Sequence, residues 1–283
     1  MESPYAHRFA SLLLLGLLAS AGARAETYTI AVEPSYPEEQ AAEVYRPLLD
    51  YLDRTTGHRF SLRTWPNYHV YWRDLRAGDA ADFAFEEAHL ADYRIQHHGF
   101  VPLVRAAGPG GYSLVAAPGR SGGLQGLHGA RVVGMPSPSL GYVLLSGLYR
   151  NPVAQPDIQS LATTWREGIE MVFAGEAEAA MVPTRVAQEY PNLVVIHRSR
   201  DHPGAAFSAA PGVPESVRVA VSDALLVLQD DAADHAALAE LGIVGFDPAA
   251  AADYSGAAAL LSGVFGYRPP PAAAPPRSAG AAR

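Results

Sequence analysis

The sequence predicts an α/β protein of two similar lobes facing each other across a cleft, and three observations carry that prediction. Short apolar runs alternate with amphipathic helical stretches along the chain, the pattern of a sheet covered by helices. Glycine and proline cluster at residues 108–111, and a second unpatterned stretch follows at 204–214, so the chain has two places to cross between lobes. At residues 129–149 (GARVVGMPSPSLGYVLLSGLY) a β-branched run is followed by a proline-broken loop and a helix, with Ser139 as its N-cap. A helix start after a strand leaves backbone N–H groups unpaired and suits an anionic ligand group, which Gly141 would allow to approach closely.

In order, the first strand is expected over 28–32, with Glu33-Pro34-Ser35-Tyr36-Pro37 as the loop at its carboxyl end, where ligands gather in open α/β sheets. A helix over 38–54 follows, kinked at Pro47 and stopped by Gly57. Strand two covers 60–64, and Trp65-Pro66-Asn67-Tyr68 is the loop beyond it. A short helix through Trp72 and Leu75 ends at Gly78, and the strand Asp82-Phe83-Ala84-Phe85 runs into Glu86-Glu87. A helix through Leu90 and a strand over 100–106 lead to the first crossing.

The second series has strands over 113–116, 131–135, 158–161, 179–182 and 193–196, with a helix over 164–174. Residues 204–214 read as the return crossing, and helices over 217–228, 232–241 and 254–264 close the pattern. The alternation predicts mainly parallel sheets. The division that follows is lobe one over 26–108, lobe two over 109–203, and a return to lobe one over 204–267.

Composition narrows the function. A chain of 283 residues at 49% hydrophobic content can bury a large core, and a net charge of −8 with no Arg-dense stripe argues against nucleic acid as a partner. All of the basic residues are Arg, which removes P-loop, Schiff-base and Ser-Lys chemistry. The absence of Cys removes disulfides, thiol nucleophiles and Cys-ligated metal. His7 and Arg8, the apolar run 12–18 and Ala23-Arg24-Ala25 form a secretory signal cut after Ala25, which predicts a soluble periplasmic monomer. Residues 268–283, rich in Pro and Ala, read as a disordered tail.

Side-chain chemistry then sets the candidates. Tyr36, Tyr68, Tyr112, Tyr142 and Trp165 stand in loops or helix starts that a cleft would aim at a ligand, as does Trp65. Glu86 and Glu87 open a helix, where the dipole favours a carboxylate, and that environment accounts for Glu87 more completely than for Glu86. His97 and His98 are adjacent and point apart, and with His89 they do not make a metal site. A secreted hydrolase using Ser137 or Ser139 needs a G-x-S-x-G elbow with a positioned base, and the chain offers neither in the strand–turn–helix context that this chemistry requires. No enzyme activity, cofactor or metal is expected.

Several segments resemble the phosphonate-binding periplasmic proteins of ABC transporters. They are Tyr45-Arg46-Pro47-Leu48-Leu49-Asp50-Tyr51-Leu52 with Thr56-Gly57, Leu75 to Gly78 with Asp82-Phe83-Ala84-Phe85, Gly111-Tyr112-Ser113, residues 127–141, residues 238–246 and Asp253-Tyr254. The resemblance implies the type II periplasmic binding protein fold, a small-molecule ligand and an ABC transporter permease as partner. A sensory module for a membrane kinase uses the same fold and is the alternative. In that family a hydroxyl run at the lobe-two helix start holds the phosphonate, with a Tyr after strand two, an aromatic after strand three, a His and acidic residues. Here Tyr68 matches the first Tyr and Ser139 the hydroxyl run, while Glu86 stands for the aromatic, Trp165 near the His and Arg185 near an acid. The resemblance therefore implies a ligand site of Tyr36, Tyr68, Glu86, Tyr112, Ser137, Ser139, Gly141, Tyr142, Trp165 and Arg185. A phosphonate-like or zwitterionic ligand fits, with its anion at Arg185 and a cation or hydroxyl at Glu86.

Overall fold

Apolar residues that recur with strand and helix periods pack on both faces of one sheet, with Ile30, Val32 and Phe83 on one side and Ala31 and Ala84 on the other, and around a second sheet through Leu114, Val132 and Met181. The computed structural model describes residues 25–270 except 109, 121, 150 and 231. The expected signal segment lies outside these residues apart from Ala25, as does the tail beyond Pro270. The elements are β1 (Thr27–Val32), α1 (Glu38–Thr56), β2 (Arg59–Arg63), α2 (Tyr68–Ala77), β3 (Phe83–Glu86), α3 (Ala88–His98) and β4 (Val101–Ala106) before the first crossing. Beyond it come β5 (Tyr112–Ala116), β6 (Arg131–Val133), α4 (Leu140–Leu148), β7 (Asp157–Gln159), α5 (Trp165–Phe173), β8 (Ala179–Pro183), α6 (Thr184–Gln188) and β9 (Val194–Arg198). After the return come β10 (Ala206–Ala209), α7 (Glu215–Val227), α8 (His235–Leu241), β11 (Phe246–Pro248) and α9 (Ala251–Tyr254), then a 3-10 segment over Ala257–Gly263.

Lobe one holds a six-stranded sheet in the order β11-β4-β10-β3-β1-β2, and lobe two a five-stranded sheet in the order β7-β6-β8-β5-β9. The sheets are less parallel than the alternation predicts. β1 is parallel to β2 and β3, and β6 is parallel to β7 and β8. However, β10 lies antiparallel between β3 and β4, β11 is antiparallel to β4, and β5 is antiparallel to both β8 and β9. β5 and β10, the first strand after each crossing, run against the strands they pair with, and β11 runs in the same direction as β10. β10 itself lies inside a stretch read as loop, because AFSA is only four residues long and buried on both faces and so shows no polar–apolar alternation.

α1 runs through Pro47 for 19 residues and ends, as expected, at Gly57 with φ 73. One helix reading also changes: the helix expected over 254–264 divides, because Gly256 at φ 86 turns the chain between α9 and the 3-10 segment.

The lobes are joined where the crossings run side by side. The Ala106 N–H donates to Ala205 O at 2.8 Å, the His202 N–H to Gly110 O at 3.3 Å, and the Ser199 N–H to Tyr112 O at 2.8 Å. Glycine is required here for space. A Cβ at Gly110 would lie 2.6 Å from His202 O, and one at Gly204 would collide with the carbonyl of Ala106. Backbone cannot yield as a side-chain tip can, so Gly204→Ala is expected to destabilise the protein by ~1–3 kcal/mol, the range for overpacking. Urea unfolding checks this, and an unchanged midpoint would show that the crossings have slack.

Candidate ligand-binding cleft

The carboxyl ends of two neighbouring parallel strands build the floor of the cleft. β1 and β3 pair with Val32 opposite Phe85, so Glu33 leaves one strand beside Glu86 and Glu87 leaving the other. Side chains alternate along a strand, and this separates the two adjacent glutamates. Glu86 turns into lobe one, where both its oxygens accept from Arg94 Nε at 2.8 Å and Tyr71 donates to Oε1. Glu87, the N-cap position of α3, turns to the cleft.

There Glu33 and Glu87 meet. Glu33 Oε1 accepts the Glu87 backbone N–H at 2.5 Å, and its Oε2 accepts the Tyr68 hydroxyl at 3.1 Å. Tyr112 reaches from lobe two to donate to Glu87 Oε1 at 2.5 Å. Glu87 Oε2 is buried with no hydrogen-bond partner among the described residues. Burial, and then the repulsion between the two carboxylates, hold Glu33 well above the usual carboxylate range. Burial likewise pushes Glu87 up to about 7, with the Tyr112 hydrogen bond and then Arg185 opposing. Tyr68 and Tyr112 are raised well above an ordinary phenol, first by burial and then by these carboxylates, so they stay protonated as donors.

The cavity above this floor is about 460 Å³, within the usual size for small-molecule sites. Tyr36, Tyr45, Phe85 and Trp165 add aromatic wall, and Arg185, Arg198 and Asp201 are its remaining charged residues. Arg185, on α6, makes no hydrogen bond or ion pair with the described residues. No group of His, Asp and Glu among the described residues is placed to hold a metal ion.

Of the residues the sequence points to, Tyr36, Tyr68, Glu86, Tyr112, Trp165 and Arg185 line the cavity, although the Glu86 carboxylate is spent on Arg94 and Tyr71. Ser137, Ser139, Gly141 and Tyr142 do not line it; Leu140 is the lining residue of the α4 start. Ser139 caps its own helix, accepting from the Tyr142 N–H at 3.3 Å and donating to Met135 O at 3.2 Å. At Gly141 the space expected for an anion is taken by rings: a Cβ there would lie 3.0 Å from Trp165 and 3.1 Å from Tyr112. Trp165 and Tyr112 pack edge to face, 5.4 Å between centroids, across this first turn. Tyr142 is half-buried and packs against the lobe-two core. Trp65 is also core, its Nε1 donating to Asp74 at 3.0 Å.

Cleft residues outside the expected set include Glu33, Tyr45, Phe85, Glu87, Arg198, Asp201 and the loop after α8. The loop containing Glu33 is recognisable as a ligand-side loop from its place after the first strand. Glu87 is hidden by a helix start that explains a carboxylate without any ligand.

Comparison with known proteins agrees with the two-lobed fold. The chain shares its fold with PhnD1 from Prochlorococcus marinus in complex with methylphosphonate, at a TM-score of 0.70 and 12% identity over 84% of this chain and 97% of that one. It is similar to the binding protein component of an ABC phosphonate transporter from Pseudomonas aeruginosa, at a TM-score of 0.65 and 16% identity over 81% and 83% of the two chains. It is similar also to a Xanthomonas citri protein bound to ATP, at a TM-score of 0.64 and 16% identity over 84% and 96%. These are two-lobed solute-binding folds of the type II periplasmic class. No curated protein matches the chain by sequence. The model of the periplasmic substrate-binding proteins of phosphonate ABC transporters matches residues 30–254, and the chain belongs to that family.

Proposed function

We propose that this protein captures a small zwitterion of the aminophosphonate type and delivers it, as a periplasmic monomer cut after Ala25, to an ABC transporter permease. The cationic end sits on Glu33 and Glu87, enclosed by the rings of Tyr36, Tyr68, Tyr112 and Trp165; the anionic end meets Arg185 and Arg198. One observation carries this reading. Glu87 Oε2 is a buried carboxylate oxygen with no donor, and an ammonium N–H supplies one. Family membership supports the phosphonate as the anionic end. The filled α4 start supports a guanidinium as its partner.

Thermal shift followed by calorimetry across 2-aminoethylphosphonate, methylphosphonate, amino acids and polyamines tests the reading. The zwitterion is expected to bind at least about tenfold more tightly than methylphosphonate, a difference of ~1.4 kcal/mol. Equal or tighter binding of methylphosphonate would overturn it.

A further inference from the structure

Arg185 and Gly242 approach each other from opposite lobes. Arg185 is carried by α6, directly after the lobe-two strand β8, whereas Gly242 ends the lobe-one helix α8 in the left-handed conformation, φ 63. Both line the cleft. A Cβ on Gly242 would stand 2.5 Å from Nη1 of Arg185 and 3.3 Å from its Cζ, so the guanidinium occupies the place a side chain would take. The Gly242 and Ile243 N–H groups satisfy Ala239 O and Leu238 O, and the last carbonyls of α8 leave a partial negative charge beside the guanidinium. Arg185 is exposed at the cleft, and its charge bears on Glu87, Tyr112 and Tyr45.

We propose that Gly242 is a specificity-determining position: its missing side chain seats the Arg185 guanidinium across the gap between the lobes, so that recognition of the ligand's anionic end depends on closure. This rests on the reading that the ligand carries an anion for Arg185. It adds a residue that touches no ligand and acts only by positioning one that does. In an open cleft the seat and the guanidinium belong to separated bodies, and Arg185 has no hydrogen-bond or ion-pair partner among the described residues to hold it toward the ligand.

The test is a double-mutant cycle on the full chain, with 2-aminoethylphosphonate and 2-aminoethanol as probes, followed by thermal shift at millimolar concentration and by calorimetry. Gly242→Asn is the main variant, because Asn tolerates a positive φ while filling the seat; Gly242→Ala is the second. Gly242→Asn and Arg185→Ala are each expected to weaken 2-aminoethylphosphonate at least about tenfold while leaving 2-aminoethanol within about twofold. Adding Gly242→Asn to Arg185→Ala is expected to cost nothing more, since both act through one side chain. An equal loss for both probes, or a full additional loss in the double variant, would overturn the proposal by reducing Gly242 to a structural glycine. Failure of the unaltered protein to bind 2-aminoethylphosphonate would instead overturn the ligand reading, and the inference with it.

Discussion

Replacing Arg94 with Ala is expected to lower the melting temperature by on the order of 10 °C while leaving ligand affinity intact in the protein that remains folded. The side chain is fully buried and holds two carboxylates at once: Nε contacts both oxygens of Glu86 at 2.8 Å, and Nη1 and Nη2 reach Asp79 at 2.6 and 2.9 Å. It also lies over the Phe100 ring at 5.0 Å. Removing it leaves Glu86 and Asp79 without their cation in a water-free region, a loss of ~3–5 kcal/mol. A protein of this size loses ~2–4 °C for each kcal/mol. Lys does not rescue, because one ammonium cannot make the forked contacts. Glu86→Gln is the informative companion: its effect falls on melting temperature and not on affinity, as a core role requires. A variant that kept its melting temperature and lost affinity would return Glu86 to the ligand site.

The second large effect is the pH dependence of the Glu33 and Glu87 pair. An ammonium needs carboxylates, but Glu87 is protonated below about 7 and Glu33 is held well above its ordinary range. Binding a cation therefore releases a proton, and affinity is expected to rise with pH, by up to about tenfold per unit below 7 for each proton released. Calorimetry in buffers of different ionisation enthalpy reads that proton directly. Affinity that falls as pH rises would mean a protonated carboxyl donating to an oxyanion, and the cation subsite would be lost.

The same groups act on stability with the opposite sign. Their folded-state values are raised, so the folded protein binds more protons than the unfolded chain, and the ligand-free form loses stability as pH rises from the ordinary carboxylate range through 7. Glu87→Gln removes its share of this effect. It should match the unaltered protein below about pH 4, exceed it in melting temperature at about pH 8, and bind the cation more weakly by on the order of 2–5 kcal/mol. The comparison with Glu87→Gln isolates the pair from His89, which pulls the other way. Burial lowers His89 to about 4, and it donates across the lobes to Pro138 O at 2.7 Å, so its contribution is present above 6.5 and fades as pH falls toward 4.

The two-lobed architecture was legible because it rests on repeated signals: apolar periods, helix-stopping glycines and two breaks. β10 was not, since four residues buried on both faces carry no period. The site was legible only in part. Tyr68 and Trp165 are large, rigid and placed at helix starts, so position alone directs them to the cleft. The division of labour between Glu86 and Glu87 depends on which way each side chain leaves the end of β3, and the local sequence explains a carboxylate at either position. The role of Ser139 was misjudged for a related reason: a serine that caps its helix and one that binds a ligand occupy the same place in the chain. Gly141 reads as an opening, but two aromatic rings from distant segments fill it, and no local pattern reports that.

The paired crossings have a mechanical consequence. Two strands linked by backbone hydrogen bonds form a ribbon, which resists shear within its plane but yields to bending across it and to twist. The hydrogen bonds between the two crossings oppose sliding of one along the other, and the close approach at Gly110 and Gly204 leaves no room for a side chain between them. Relative motion of the lobes is therefore expected as bending across this ribbon and twist along it.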